Sequence, residues 1–194
     1  MIECHISRED LKKILGKLDK VSPKSRTRIL ANAFRKATLM VERDLKANVS
    51  GKYLKVRTGR LRASIGSRVN IEEEGLVGVI GSGVRTGERV KYANIHETGG
   101  TITARRVKYL TIPSKYALTK AGVMRRISAR DFEDTFVRGG IIWQKQGKRK
   151  IVPLFFLKKS VEIPARRYMS RTLEQDRSAI IKTMIEAINR ALEG

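Results

Sequence analysis

The stretch KYANIHETGGTI, residues 91–102, sets His96 directly beside Glu97. A histidine followed by glutamate opens the HExxH pattern, in which one helix face offers two imidazoles to a zinc ion and the glutamate acts as general base. Here the second histidine position holds Gly100, and the only other histidine of the chain is His5. A catalytic zinc needs three protein ligands, so carboxylates would have to complete the set, and the spacing argues against a metal. We read residues 91–97 as a strand running into a Gly99-Gly100 turn, with His96 and Glu97 on opposite faces, one packed and one exposed.

The remaining candidates for chemistry fare no better. GSGVRTG, residues 81–87, has glycines that could turn backbone amides toward a phosphate, but it lacks GxxxxGK[ST] and does not open a helix. It reads as a mobile loop, with Arg85 suited to ordering against a neighbouring subunit. No GxSxG elbow accompanies the one plausible base, His96. The run Glu72-Glu73-Glu74 before Gly75 reads as a charged hairpin turn, not a pair of catalytic carboxylates. Cys4 alone cannot form an internal disulfide or a thiolate metal site. We therefore expect no enzyme, no cofactor and no metal.

The elements that must position these residues follow from the hydrophobic period. A short amphipathic helix is expected over 7–19, where Leu11, Ile14, Leu15 and Leu18 share a face. Ser22-Pro23 starts a long helix whose apolar positions Ile29, Leu30, Ala33, Phe34, Ala37, Met40, Val41 and Leu45 carry it to about Ala47. From Leu61 the period changes to two, through Ala63, Ile65 and Val69, which implies a strand. Further strands are expected at 76–82, 106–113, 132–137, 140–145 and 150–157, the last at an edge or bent because of Pro153. Residues 168–192 make a closing helix. Helices, then strands in a run, then a helix describe an α+β fold: an antiparallel sheet packed on a long N-terminal and a long C-terminal helix. We read 1–194 as one domain with a β-rich elaboration or arm at about 103–160.

With 42 Lys and Arg against 19 Asp and Glu, the chain carries a formal charge of +23. That favours an acidic partner surface or nucleic acid, and leaves a basic nucleic-acid-binding module as the alternative reading. No run approaches the roughly 18 apolar residues of a membrane span, and the first residues do not resemble a signal peptide, so no membrane partner is expected and a cytosolic origin is.

Three stretches in succession are similar to a known group: VRTGRLRASI (56–65), YANIHETGG (92–100) and IPARRYM (163–169) leading into the last helix. They resemble the tail-completion and neck proteins of long-tailed bacteriophages, the virion morphogenesis or head-tail joining family. That family usually reads ARP at the helix start, where this chain has Arg167, so a looser turn is expected there. The resemblance implies a non-catalytic α+β subunit that forms a homo-oligomeric ring, commonly a hexamer, at the junction of tail and head connector. Its partners would be other neck and tail tube proteins and, in the lumen, DNA. Assembly would occur in the host cytoplasm and the product would sit in the virion. On this reading His96, Glu97, Gly99, Gly100, Arg166, Arg167 and Tyr168 serve structure or subunit contact. Trp143, Phe155 and Phe156 are large apolar groups in short strands, and some of them are expected at a subunit interface.

Overall fold

The computed structural model describes residues 16–193 apart from 17, 55–57, 73–74, 89, 127 and 148. The helix expected over 7–19 lies outside the described residues except at its end, where Leu18 is buried. The chain forms two compact units: residues 1–97 with 166–194, and residues 98–165 between them.

The first unit rests on α1 (Pro23–Ala47). Ser22 caps it by accepting the Ser25 N–H, and Pro23 occupies the first turn, where a missing N–H costs nothing. Its buried apolar residues, Ile29, Ala33, Ala37, Val41 and Leu45, recur every fourth position. Each such step turns about 40° around a helix of 3.6 residues per turn, so the stripe winds and meets different partners along its length. Its start packs with Ala187 and Ile188 of α4 (Tyr168–Glu193), while Leu45 joins Ile65 and Tyr168. A π-type turn, Asn48–Lys52, ends α1.

An antiparallel hairpin, β1 (Ile65–Glu72) and β2 (Gly75–Ser82), pairs from Ile65↔Ser82 to Glu72↔Gly75 and lies against α1. The approach is close at Gly78, where a Cβ would stand 2.6 Å from Cγ2 of Thr38. Two segments differ from the expected strands. Residues 60–64 form a helical turn, α2 (Arg60–Ser64), closed by the Ala63 N–H on the Gly59 carbonyl. Leu61 and Ile65 are buried at helical spacing while Ala63 is exposed, so the apparent period of two was a coincidence of small residues. Residues 93–98 are also helical, α3 (Ala93–Thr98). Val90 and Ala93 belong to the same core cluster at a spacing of three, and Gly99 ends the helix at φ +72°, the left-handed conformation that glycine adopts without penalty.

The second unit is built of strands. β3 (Gly100–Thr103) pairs with β8 (Ser160–Ile163), a ribbon absent from the sequence reading. A four-stranded antiparallel sheet runs in the order β4 (Leu110–Pro113), β7 (Lys150–Lys158), β6 (Ile141–Gln146), β5 (Thr135–Arg138). Pro153 therefore sits in an inner strand and not at an edge. The ladder accommodates it by a register shift, since Ile142 pairs with Phe155 but Trp143 with Pro153, leaving Leu154 as the extra residue of a bulge. The core here is Ala117, Val152, Leu154 and Phe155, with Phe132 edge-on to Phe155 at 5.5 Å. Long helices at the start and end of the chain with antiparallel sheets between them make an α+β fold.

Candidate functional site: a clasp around the last helix

α4 begins without a capping side chain of its own. Arg167 precedes it, and an arginine cannot accept the N–H groups that a helix leaves unpaired in its first turn. Glu97 supplies the acceptor from α3. Its carboxylate takes the Met169 N–H at 2.8 Å, the Ser170 N–H at 3.0 Å and the Ser170 hydroxyl at 2.5 Å. These backbone groups are the donors that an N-cap residue would normally satisfy, and a negative charge at a helix N-terminus is further favoured by the helix dipole. Glu97 is a cap delivered from 72 to 73 residues away in sequence.

The neighbouring backbone completes the clasp. Arg166 donates its N–H to the His96 carbonyl at 2.8 Å, and Arg167 donates to the Glu97 carbonyl at 3.2 Å. Arg167 has φ +50°, a conformation closed to proline, and its N–H is bonded. The turn at Arg167 is thus held by two backbone bonds and is not the looser turn expected. Tyr168 is buried and donates its hydroxyl to the Ala93 carbonyl at 3.3 Å. Burial, with the nearby Glu97 charge and Tyr92, pushes its phenol up to about 12. Its carbonyl accepts the Thr172 hydroxyl at 2.7 Å, and Asn48, just past α1, donates to that hydroxyl at 2.9 Å.

His96 and Glu97 accordingly share a helix and do not face opposite sides of a strand. The His96 ring stands edge-on to Tyr92 at 5.9 Å. Among the described residues no group of three His, Cys, Asp or Glu is placed to hold a metal ion. No helix among them is long and apolar enough to cross a membrane. Leu61, Ile65, Ala93 and Tyr168 pack in one cluster with Leu45 and Val49, so the three stretches that carried the family resemblance meet in a single core.

A second polar cluster fixes the Gly-rich loop. Glu42 on α1, only 5% exposed, accepts from Lys46 at 2.7 Å, from the Ser67 hydroxyl at 2.6 Å and from Arg85 at 2.7 Å. Burial raises its pKa, but the bonds to Lys46 and Ser67 and the charges of Lys46 and Arg85 outweigh this, and the net shift is downward. Arg85 reaches Glu42 across Gly66, where a Cβ would lie 2.7 Å from its Cγ. The loop is thus anchored within its own chain, where the sequence had suggested ordering against a neighbour. Asp176 shows the opposite balance: burial and the nearby charge of Asp44 raise its pKa against Arg43 and Lys52.

The other expected contact residues lie in or beside the second unit. Phe155 is fully buried in that unit's core, and Phe156 next to it is 39% exposed. Trp143 is half-buried, its indole N–H donating to the Arg138 carbonyl at 3.1 Å. Gly99 is required sterically, since a Cβ there would meet the Ala165 nitrogen at 2.7 Å, and Gly100 also has positive φ. Sequence reasoning passed over Glu42 and the capping role of Glu97. The first had a readable signal, a carboxylate next to Val41 on an apolar helix face. The second could be suspected only from the missing cap before Tyr168.

Residues 12–99 match the HK97-gp10_like family model, described as "Bacteriophage HK97-gp10, putative tail-component". No curated protein and no solved structure matches the chain. The matched segment contains α1, the hairpin and α3, and it supports the bacteriophage tail and neck resemblance read from the sequence. With that resemblance comes support for a structural role in a phage tail, and hence for a place in the virion.

Proposed function

We propose that this chain is a tail-completion or neck subunit that forms a ring at the head-tail junction and joins tail to head connector. The family match over residues 12–99 is the observation that carries the reading. The fold of that segment suggests how copies would join. β2 is one strand of a two-stranded sheet, so among the described residues one of its edges has no strand beside it. Its sequence, GLVGVIGS, holds no charge, and Val77 is 41% exposed. An uncharged open edge invites pairing with another chain, and in a protein of net charge +23 it offers a contact surface free of like-charge repulsion.

Head-to-tail pairing of such an edge with a different surface of the next copy closes into a ring when the rotation permits; six copies is the number implied by the resemblance. The clasp suits this work, because Glu97 and Tyr168 bind the last helix to the matched segment and make the assembling unit stiff. The exposed face of Phe156 in the second unit is a further candidate contact. A lumen around the DNA path would also give the positive charge a use. The reading assigns no catalytic step to any residue.

The test is electron microscopy with image averaging of the protein mixed with isolated tails. A discrete collar at one end of each tube is expected, and its averaged image gives the number of copies. Tails that stay bare at every protein concentration would overturn the assignment.

A further inference from the structure

The two units use their charge differently. Residues 98–165 contain 15 Lys and Arg against 4 Asp and Glu. Every ion pair among the described residues falls in the first unit: Arg26 with Asp19, Arg43 with Asp44, Lys46 and Arg85 with Glu42, Arg167 with Glu174, and Lys182 with Glu186. Among the described residues of the second unit, no cation lies within ion-pair distance of a carboxylate. An unneutralised positive surface repels itself unless an anion covers it.

Five of the fifteen cations gather at one corner. Residues 104–109 form a strap between β3 and β4 that carries Arg105, Arg106 and Lys108, all exposed. Both ends of the strap are tied to the β7–β8 corner. The Ala104 N–H donates to the Lys159 carbonyl at 2.9 Å, and Leu110 pairs with Lys158. The ends of the strap thus sit over two successive residues, which makes it a compact loop closed on its own base. Lys158 and Lys159 are exposed as well. Five positive charges therefore share one loop and its base, with Glu162, opposite Thr101 in the β3–β8 ribbon, as the nearest carboxylate along the ladder.

We propose that this corner binds the phosphodiester backbone of double-stranded DNA without regard to sequence. Arginine forks and lysine ammonium groups are the donors that phosphates take. An acidic protein partner fits less well, because the core of a protein interface is depleted in lysine and enriched in aromatic residues. Here the large apolar group exposed among the cations is Val107, at 59%. Single strands fit less well too, since they are held by bases stacking on open aromatic faces. The one aromatic residue of the strap, Tyr109, is half-buried with Lys108 over its ring at 5.7 Å. The inference stands apart from the tail assignment and rests on the charge and geometry of the second unit alone.

The experiment is fluorescence anisotropy of a labelled duplex of mixed sequence, about 30 base pairs long, titrated with the full chain across a salt series. Three proteins are compared: the unaltered chain, the strap variant Arg105→Glu/Arg106→Glu/Lys108→Glu, and a variant with the same charge change on α1, Lys24→Glu/Arg28→Glu/Lys36→Glu. The strap variant is expected to bind about 100-fold more weakly near 100 mM salt. Its plot of log affinity against log salt should be shallower by roughly 3, because each phosphate contact contributes about 0.9 to the slope. The α1 variant should keep the slope of the unaltered chain. Thermal unfolding of the strap variant should match the unaltered chain, since all three positions are exposed, and Arg105→Ala/Arg106→Ala/Lys108→Ala serves if it does not. Equal weakening by both charge-reversed variants would overturn the proposal in favour of a diffuse field. So would competition by polyglutamate as effective as that by unlabelled duplex, or no binding by the unaltered chain.

Discussion

The first unit ties some of its charges into internal pairs, and among the described residues the second ties none. Glu42 and Glu97 are carboxylates in the first unit, each satisfied by three donors and each tying together segments far apart in sequence. The second unit has a comparable sheet core around Phe155 but no ion pair among its described residues. The difference teaches that a net charge of +23 is not one property of this protein. Some cations of the first unit are bonded to carboxylates that hold a scaffold, while those displayed on the second are available to an outside anion. Removing an internal charge should cost stability, whereas removing a displayed one should cost binding.

The largest effect is expected at Glu42. Glu42→Gln leaves Lys46 and Arg85 without their anion and should lower stability by about 2–3 kcal/mol, read as a fall in Tm of roughly 5–10 °C for a chain of this size. Because the folded pKa of Glu42 is depressed, its contribution is present above the unfolded carboxylate value and fades as pH drops through the folded one. The gap in Tm between the two proteins should therefore narrow in acid, below about pH 4. A gap unchanged at low pH would mean that Glu42 acts through shape and not through charge.

At the clasp, Glu97→Ala removes the remote cap and should cost about 2 kcal/mol. A double-mutant cycle with Ser170→Ala should return a coupling of roughly 1 kcal/mol, and simple additivity would remove Glu97 from its assigned place. Arg167→Pro should cost a similar amount, since it forfeits the N–H bond to Glu97 and demands negative φ. Arg167→Gly should fall within about 1 kcal/mol of the unaltered protein, because relief of the positive φ opposes the loss of an exposed ion pair with Glu174.

These residues also mark what the sequence could and could not reveal. The long helices were legible because their apolar residues repeat over six or seven turns, longer than chance patterns persist. The hairpin of 65–82 was legible from the apolar run of 76–82 and the charged turn before Gly75, although its first strand was expected to begin at Leu61. The short elements were misread for one physical reason. In five or six residues an apolar pair at spacing four and one at spacing two are hard to tell apart, and tertiary packing of Leu61 and Ala93 decides. For Pro153 an edge or a bent strand was expected, and the bulge that admits it to an inner strand depends on its partner strand. His96-Glu97 was read without a metal role, but the cap that Glu97 places on α4 joins residues 72 and 73 apart, and no local pattern encodes that distance.

A smaller effect is expected in alkali. Tyr168 has its pKa raised to about 12, so unfolded chains lose the phenolic proton first and stability falls between about pH 10 and pH 12. Tyr168→Phe should lose less stability over that range, measured by denaturant unfolding at pH 9 and pH 11. Parallel losses in the two proteins would show that the phenol is not protected by burial.

The most direct test of the account as a whole places one charge on the open edge of β2 and reads assembly. Val77→Lys should leave the unfolding curve within about 0.5 kcal/mol of the original, as exposed substitutions do, and should fail to decorate isolated tails in electron micrographs. The Lys158→Glu protein, altered in the other unit, should still form the collar. Collars of normal appearance with Val77→Lys would contradict the claim that copies of this chain join along that strand.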